Sequence, residues 1–257
     1  MNLYFGSTSP RFVYGHYLAV ISALKTQHVE KVVLVCTVLP ESPYFDLIKN
    51  KVQIVMFDQV NFPMLANKDL HSVAATVKDY IEWVTLLQNG GIFMDLDTFS
   101  ISDVSSLLNN CDVVVTPYHI QSFDEFDIAV VIVKQNSIVI RETLSYAVQS
   151  LQNSSSKYTS TGPVAFTKAV LRHKDIVCFA PTDTFNPRII RGTPIQPVSY
   201  IPAWNNLSLP ANTRVLHLMA SSKSKPFYSV DQYFARYSDT MYAKAIRRVL
   251  TESEWAV

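Results

Sequence analysis

The sequence carries no marked excess of charge of either sign. Its formal net charge is +1, which argues against a generic nucleic-acid binder, because such a chain is normally visibly basic. Cysteine is sparse. Cys36, Cys111 and Cys178 stand far apart, in or beside apolar runs. Without metal-ligand spacing they read as separate buried thiols, as expected in a reducing compartment. No apolar stretch approaches the roughly 18 residues of a membrane-spanning helix. The opening Met-Asn-Leu-Tyr-Phe-Gly reads as a strand, not as a basic segment leading into an apolar leader. The expectation is therefore a cytoplasmic chain with no transmembrane segment and no nucleic-acid partner. Sequons at Asn153 and Asn206 carry little weight in that setting. No internal repeat and no clean linker divide the sequence.

What is present is a globular composition. Hydrophobic residues make up 48% and charged residues 17%, which excludes a disordered chain. The 257 residues suit one large α/β domain with a sizeable core. Periodicity predicts a strand over Leu3–Phe5, a helix from Val13 to Lys25, a strand over Val32–Val38, a short helix from Ser42 to Lys49 and a strand over Val52–Phe57. The continuous β-branched run at Val32–Val38 has the look of a strand buried on both faces. This alternation opens a parallel α/β sheet. Ligands on such sheets bind beyond the strand C-termini, here Phe5-Gly6-Ser7, Thr37 and Phe57-Asp58.

Residues 59–70 read as a loop. A long helix is expected from Ser72 to Leu87, with Val73, Val77, Tyr80, Ile81, Val84 and Leu87 as its apolar stripe. Further on, the pattern predicts a short helix at Ile101–Leu108, strands at Val113–Thr116 and Phe126–Val133, and helices at Ser137–Leu151 and Val164–Leu171. The Pro-rich stretch 176–213 should form short strands and loops. Its aromatics Phe185, Tyr200 and Trp204 can stack on an acceptor or pack on one another. A last strand is expected at Arg214–Met219. One amphipathic helix with basic Lys244, Arg247 and Arg248 should follow, from about Asp231 to Glu252.

Chemistry concentrates at Gln88-Asn89-Gly90-Gly91-Ile92-Phe93-Met94-Asp95-Leu96-Asp97. A helix ends at a double glycine, which lets the chain turn sharply. A short apolar strand then delivers two carboxylates where it gives out. On an extended backbone Asp95 and Asp97 would share a face. Two such carboxylates repel, and a divalent cation relieves the repulsion. Oxygen ligands favour Mg²⁺ or Mn²⁺, and such an ion can hold a departing diphosphate. The bland alternative is a strand end with two solvated carboxylates.

The block from Lys78-Asp79-Tyr80-Ile81-Glu82 to Asp97 resembles the DXD region of glycosyltransferases with the GT-A fold. It is most similar to glycosyltransferase family 32, which shares this block with the large clostridial glucosylating toxins. The resemblance implies a Rossmann-like, mixed but mostly parallel central sheet flanked by helices. It also implies a nucleoside-diphosphate sugar, UDP-linked hexose or pentose, as donor, with transfer to a glycan or other hydroxyl acceptor and retention of configuration. It makes Asp79 and Asp95 donor contacts and Asp97 the principal metal ligand, Asp95 lying beside it. His217, on the strand before Ser222-Lys223-Ser224-Lys225-Pro226-Phe227, becomes a third metal ligand, and Lys223 or Lys225 a phosphate contact. Phe5, Gly6 and Ser7 would meet the base, and Ser160-Thr161-Gly162-Pro163 matches the family's Thr-Gly-Pro helix start. Asp127 falls where the family often has an Asn near the sugar. There it could stabilise oxocarbenium character, orient the acceptor or act as a base.

One departure stands out. The family's helix Arg falls at Glu82, which cannot neutralise a diphosphate, so Lys78 or Arg11 substitutes or the donor is held differently. The resemblance covers residues 1–228 as one catalytic domain, with 1–100 as the nucleotide-sugar half and 101–228 as the acceptor half. Residues 229–257 then form a helical extension. Two other readings compete: a non-catalytic or degenerate sugar-nucleotide binder, and a haloacid-dehalogenase-type phosphatase. The phosphatase motif needs Thr where Phe99 stands, and no later acidic motif supports it.

Overall fold

A computed structural model describes residues 1–58, 70–119, 122–152, 159–186, 206, 208–220 and 225–257. The chain opens with β1 (Leu3–Ser7), α1 (Tyr14–Thr26), β2 (Val32–Cys36), α2 (Pro43–Asp46) and β3 (Gln53–Met56). The long helix α3 (Leu70–Asn89) leads into β4 (Gly91–Met94) and β5 (Thr98–Ser100). Next come β6 (Val113–His119), β7 (Ser122–Val133), α4 (Ile138–Gln152), α5 (Pro163–Arg172), β8 (Val177–Phe179) and α6 (Thr182–Phe185). After β9 (Val215–His217) the chain ends in α7 (Lys225–Tyr228), α8 (Gln232–Tyr237), α9 (Met241–Val249) and α10 (Glu252–Trp255).

Seven strands form one sheet in the order β3-β2-β1-β4-β7-β6-β8. Strands β1 to β4 run parallel, β7 is antiparallel to both β4 and β6, and β8 is parallel to β6. The sheet is mixed and mostly parallel, as the resemblance implies, and its opening strands are parallel, as the alternating pattern predicts. Strand β2 is buried at every residue, whereas β3, at the sheet's edge, is mostly exposed. Two cores explain why the central strands read as unbroken apolar runs. Leu3, Phe5, Ile92 and Met94 face one core with α1 and the C-terminal helices. Tyr4 and Phe93 face the other, with Ile81, Trp83 and Leu86 of α3 and Phe166 of α5.

The double glycine is required by backbone geometry. Gly90 and Gly91 have φ of 62° and 106°, a region that side-chain-bearing residues rarely adopt. A Cβ at Gly91 would lie 2.5 Å from the Asn2 carbonyl oxygen. Gly91→Ala is expected to lower stability by about 2–4 kcal/mol, combining backbone strain with overpacking. A urea midpoint unchanged from the parent chain would show that the turn can relax.

Three expectations are corrected. The helix expected at Ile101–Leu108 is instead a loop that follows β5 and a single 3₁₀ turn at Ser105–Leu107. The Gln27 side chain bonds the Ser102 carbonyl and the Val104 amide, and Asp103 accepts from the His28 amide. These bonds satisfy the loop's backbone without a helix. The single C-terminal helix is three, because Asp231, Thr240 and Thr251 each cap a new start. The separate thiols are also corrected: Cys111 and Cys178 are joined in a disulfide, and Cys36 is a buried free cysteine. The cysteine argument for a reducing compartment falls with them.

Phe185 is buried, while Tyr200 and Trp204 lie outside the described residues. The C-terminal helices dock on α1: Tyr14 and Tyr17 donate from their hydroxyls to the carbonyls of Trp255 and Glu254. Among the described residues no helix is long and apolar enough to cross a membrane.

Candidate functional site

The two aspartates meet through a turn. Asp95 closes β4, and its carbonyl accepts from the Thr98 amide at 3.1 Å and the Thr98 hydroxyl at 2.7 Å. Leu96 and Asp97 form the turn into β5. The expectation of an extended Asp-x-Asp with both side chains on one pleat face is therefore corrected. Strand β5 then pairs with β9 in a separate two-stranded antiparallel sheet, placing Thr98 opposite His217. This pairing was not visible in the sequence, and it delivers His217 to Asp97. The Asp97 carbonyl accepts from the Leu218 amide at 2.8 Å, and its Oδ2 accepts from the Ala220 amide at 2.6 Å. His217 Nε2 lies 3.7 Å from the same oxygen.

Asp95, Asp97 and His217 each offer one ligand atom, all within 4.8 Å of one another. Behind His217, its Nδ1 meets Asp127 Oδ2 at 3.1 Å. Asn186 Nδ2 donates to that same oxygen at 3.2 Å, and the Ala129 amide donates to Asp127 Oδ1 at 3.0 Å. Burial alone disfavours a charged imidazole, but Asp127 and then Asp97 hold the His217 pKa well above the usual histidine value. Burial would raise the Asp97 carboxyl, yet His217 and the Ala220 amide outweigh it and hold Asp97 below the usual range.

On the other side of Asp95 stands Lys78. Its ammonium lies 2.9 Å from Asp95 Oδ1, 3.1 Å from Glu82 Oε2 and 3.3 Å from Asp79 Oδ1. On α3 Glu82 stands at i+4 from Lys78 and at i+3 from Asp79, so it neighbours both on the helix surface. Burial raises the Asp79, Glu82 and Asp95 carboxyls, with Lys78 opposing it in each. Lys78 itself, despite burial, is held well above the ordinary lysine value by Asp95, Glu82 and Asp79.

The Thr161 hydroxyl donates to Asp79 Oδ2 at 2.9 Å. Gly162 permits that approach, since a Cβ there would lie 2.6 Å from the same carboxylate oxygen. The Thr-Gly-Pro stretch thus converges on Asp79. Phe5 pairs with Met94 across the β1–β4 ladder, so Gly6 and Ser7 lie beside the start of the Asp95 turn.

The structure thus gathers Asp79, Asp95, Asp97, Asp127 and His217, with Gly6 and Ser7 adjacent. Phe5 is fully buried in the core. Lys223 lies outside the described residues, and of Lys225 only its place in α7 is described. Sequence reasoning missed Asn186, whose Pro-rich surroundings gave no signal, and the amide of Ala220. A separate cleft of about 930 Å³, bordered by Lys25, Ile101, Cys178, Phe179 and Arg214, shares no lining residue with this cluster.

No protein-family model matches the chain, and no curated protein matches it in sequence. Solved structures do resemble it. The galactosyltransferase LgtC, in complex with donor and acceptor sugar analogs, superposes with a TM-score of 0.55 at 14% identity, over 96% of this chain and 94% of that one. The glycosyltransferase GlyE of Streptococcus pneumoniae TIGR4 superposes with a TM-score of 0.52 at 12% identity, over 86% of this chain and 55% of that one. At these identities the likeness concerns fold. The chain has the GT-A fold, as the resemblance in the sequence implied.

Proposed function

We propose that the chain is a metal-dependent glycosyltransferase that moves a sugar from a nucleoside-diphosphate donor to a hydroxyl acceptor. The observation that carries this reading is the convergence of Asp95, Asp97 and His217 at a strand end of a GT-A sheet. Among the described residues, Lys78 and His217 lie within ion-pair range of five carboxylates, Asp79, Glu82, Asp95, Asp97 and Asp127. Such an anionic cluster fits a divalent cation. Two carboxylates with one imidazole suit Mn²⁺, with Mg²⁺ as the harder alternative.

Asp95, Asp97 and His217 would hold the ion, which when bound supplies charge to the diphosphate leaving group. The protein's own residues do the rest. Asp127, through Nδ1, fixes the ring so that His217 Nε2 faces Asp97; in this reading it is a positioning residue and takes no part as a base. The Ala220 amide fixes Asp97. Lys78 holds Asp79 and Asp95, whose remaining lone pairs accept from sugar or ribose hydroxyls. The backbone at Phe5, Gly6 and Ser7 meets the base, and Lys223 or Lys225 meets a phosphate. UDP-linked hexose or pentose as donor, a glycan acceptor and retention of configuration complete the reading, each resting on the family resemblance.

A thermal-shift comparison of UDP, GDP, CDP and dTDP, each with and without Mn²⁺, tests it. A ligand at 100 times its Kd adds about 2.7 kcal/mol of stability, a rise of roughly 5–10 °C for a chain of this size. The expected result is such a rise with UDP only when Mn²⁺ is present, followed by Mn²⁺-dependent hydrolysis of a UDP-sugar. Folded protein that responds to none of the four would remove the reading.

A further inference from the structure

The positive charge near the Asp95–Asp97 turn is largely committed. Lys78 faces three carboxylates, and His217 lies between Asp127 and Asp97. The His16 ring, packed on Phe12 and Phe227, is held neutral: burial first, then Arg11, lower its pKa to about 4 against the pull of Asp97. Arg11 differs from all of these. It is exposed, in the segment between β1 and α1, and among the described residues no carboxylate lies within ion-pair range of it. Its guanidinium carbon sits 4.7 Å from the centroid of the Tyr228 ring.

That ring ties Arg11 to the site. The Tyr228 hydroxyl donates to the Ala220 carbonyl at 3.2 Å, and the Ala220 amide donates to Asp97 Oδ2 at 2.6 Å. One residue and two contacts therefore separate the Arg11–Tyr228 stack from a candidate metal ligand.

We propose that Arg11, stationed on the face of Tyr228, is a further contact for the diphosphate of the nucleotide donor. The inference rests on the glycosyltransferase reading and adds a phosphate-binding residue to it. Stacking occupies the flat face of the guanidinium and leaves its edge N–H groups to donate to phosphate oxygens. A cation already ordered on a ring loses little freedom when the anion arrives. A lysine ammonium can neither stack as a plane nor present two parallel donors.

The test is calorimetric titration of the full chain with UDP in the presence of Mn²⁺, beside the melting temperature of the ligand-free protein. The variants are Arg11→Ala, Arg11→Lys, Tyr228→Phe, Tyr228→Ala and the double Arg11→Ala/Tyr228→Ala. Arg11→Ala should weaken UDP about 10- to 100-fold, the range of one charge-assisted hydrogen bond or a pair, with the ligand-free melting temperature within about 2 °C of the parent. Arg11→Lys should recover only part of that loss. Tyr228→Phe should bind within about twofold of the parent, because stacking survives. The double variant should be no worse than Arg11→Ala alone, because the ring acts through the guanidinium. UDP affinity unchanged in Arg11→Ala, or strictly additive losses in the double variant, would overturn the proposal. A parent chain that binds UDP while Arg11→Ala matches it defeats this inference and leaves the glycosyltransferase reading standing. A parent chain that binds none of UDP, GDP, CDP and dTDP defeats both.

Discussion

Asp97→Ala is expected to abolish the Mn²⁺-dependent nucleotide shift and to lower kcat/KM for the donor by about 10³-fold or more, roughly 4 kcal/mol of transition-state stabilisation. The fold should survive the change. What joins β5 to β9 beside Asp97 is its backbone carbonyl, which accepts from Leu218, and alanine keeps that bond. The carboxylate itself accepts from the Ala220 amide and faces His217, so only the site loses its anion. Asp97→Asn separates the two roles: its carbonyl oxygen can still accept from Ala220, but its charge is gone. If charge is what matters, the Asn variant should be nearly as inactive as Ala.

Stability gives an independent reading. The folded Asp97 pKa lies below its unfolded value. Its contribution in metal-free protein is therefore present above the unfolded pKa and fades as pH falls through the folded one. Metal-free Asp97→Ala should melt below the parent at pH 7 and approach it in acid. A Mn²⁺-dependent shift retained at full size in Asp97→Ala would sink the assignment of this residue as a ligand.

The contrast between Asp97 and His217 shows how much of this protein was legible in its sequence. The central sheet was, because β1, β2 and β4 are buried on both faces and read as unbroken apolar runs. The turn at Gly90-Gly91 was, because so few residues tolerate its φ values. The meeting of Asp97 with His217 depends on three residues of β5 pairing with three of β9 across more than 100 positions of chain. Strands that short leave no periodicity to read. The resemblance supplied His217 as a candidate, but not the geometry that delivers it. Lys78 was legible only as a possible substitute for an absent arginine. Its place between Asp79, Glu82 and Asp95 depends on where α3 lies against β4, which is a matter of packing. The missed helix breaks at Thr240 and Thr251 were written in the sequence as capping residues, overridden by a continuous amphipathic pattern.

Lys78→Met is expected to lower stability at pH 7 by about 3–5 kcal/mol, the range for removing one partner from a buried ionic cluster. That is a large part of the total for a domain of this size. The side chain is nearly isosteric along its stem, so the loss is electrostatic: Glu82 is fully buried, Asp79 almost so, and both face the same ammonium. Burial already raises both carboxyls against the pull of Lys78, and without Lys78 they rise further. A carboxyl with a raised folded pKa binds its proton more tightly folded than unfolded, so acidification favours the folded state. The deficit of Lys78→Met should therefore be largest near neutral pH and shrink as pH falls towards 5. In the parent chain the raised Lys78 pKa keeps the ammonium charged, and its contribution fades only as pH climbs above the ordinary lysine range through that raised value. Adding Glu82→Gln should recover part of the loss, because one of the stranded charges is then absent. Urea midpoints at pH 5 and pH 8 for the parent, the single variants and the double read all of this. A Lys78→Met chain within about 1 kcal/mol of the parent at pH 8 would mean that the carboxylates are protonated or hydrated in the folded state, and Lys78 would lose its role as the cation that holds Asp79 and Asp95 in place.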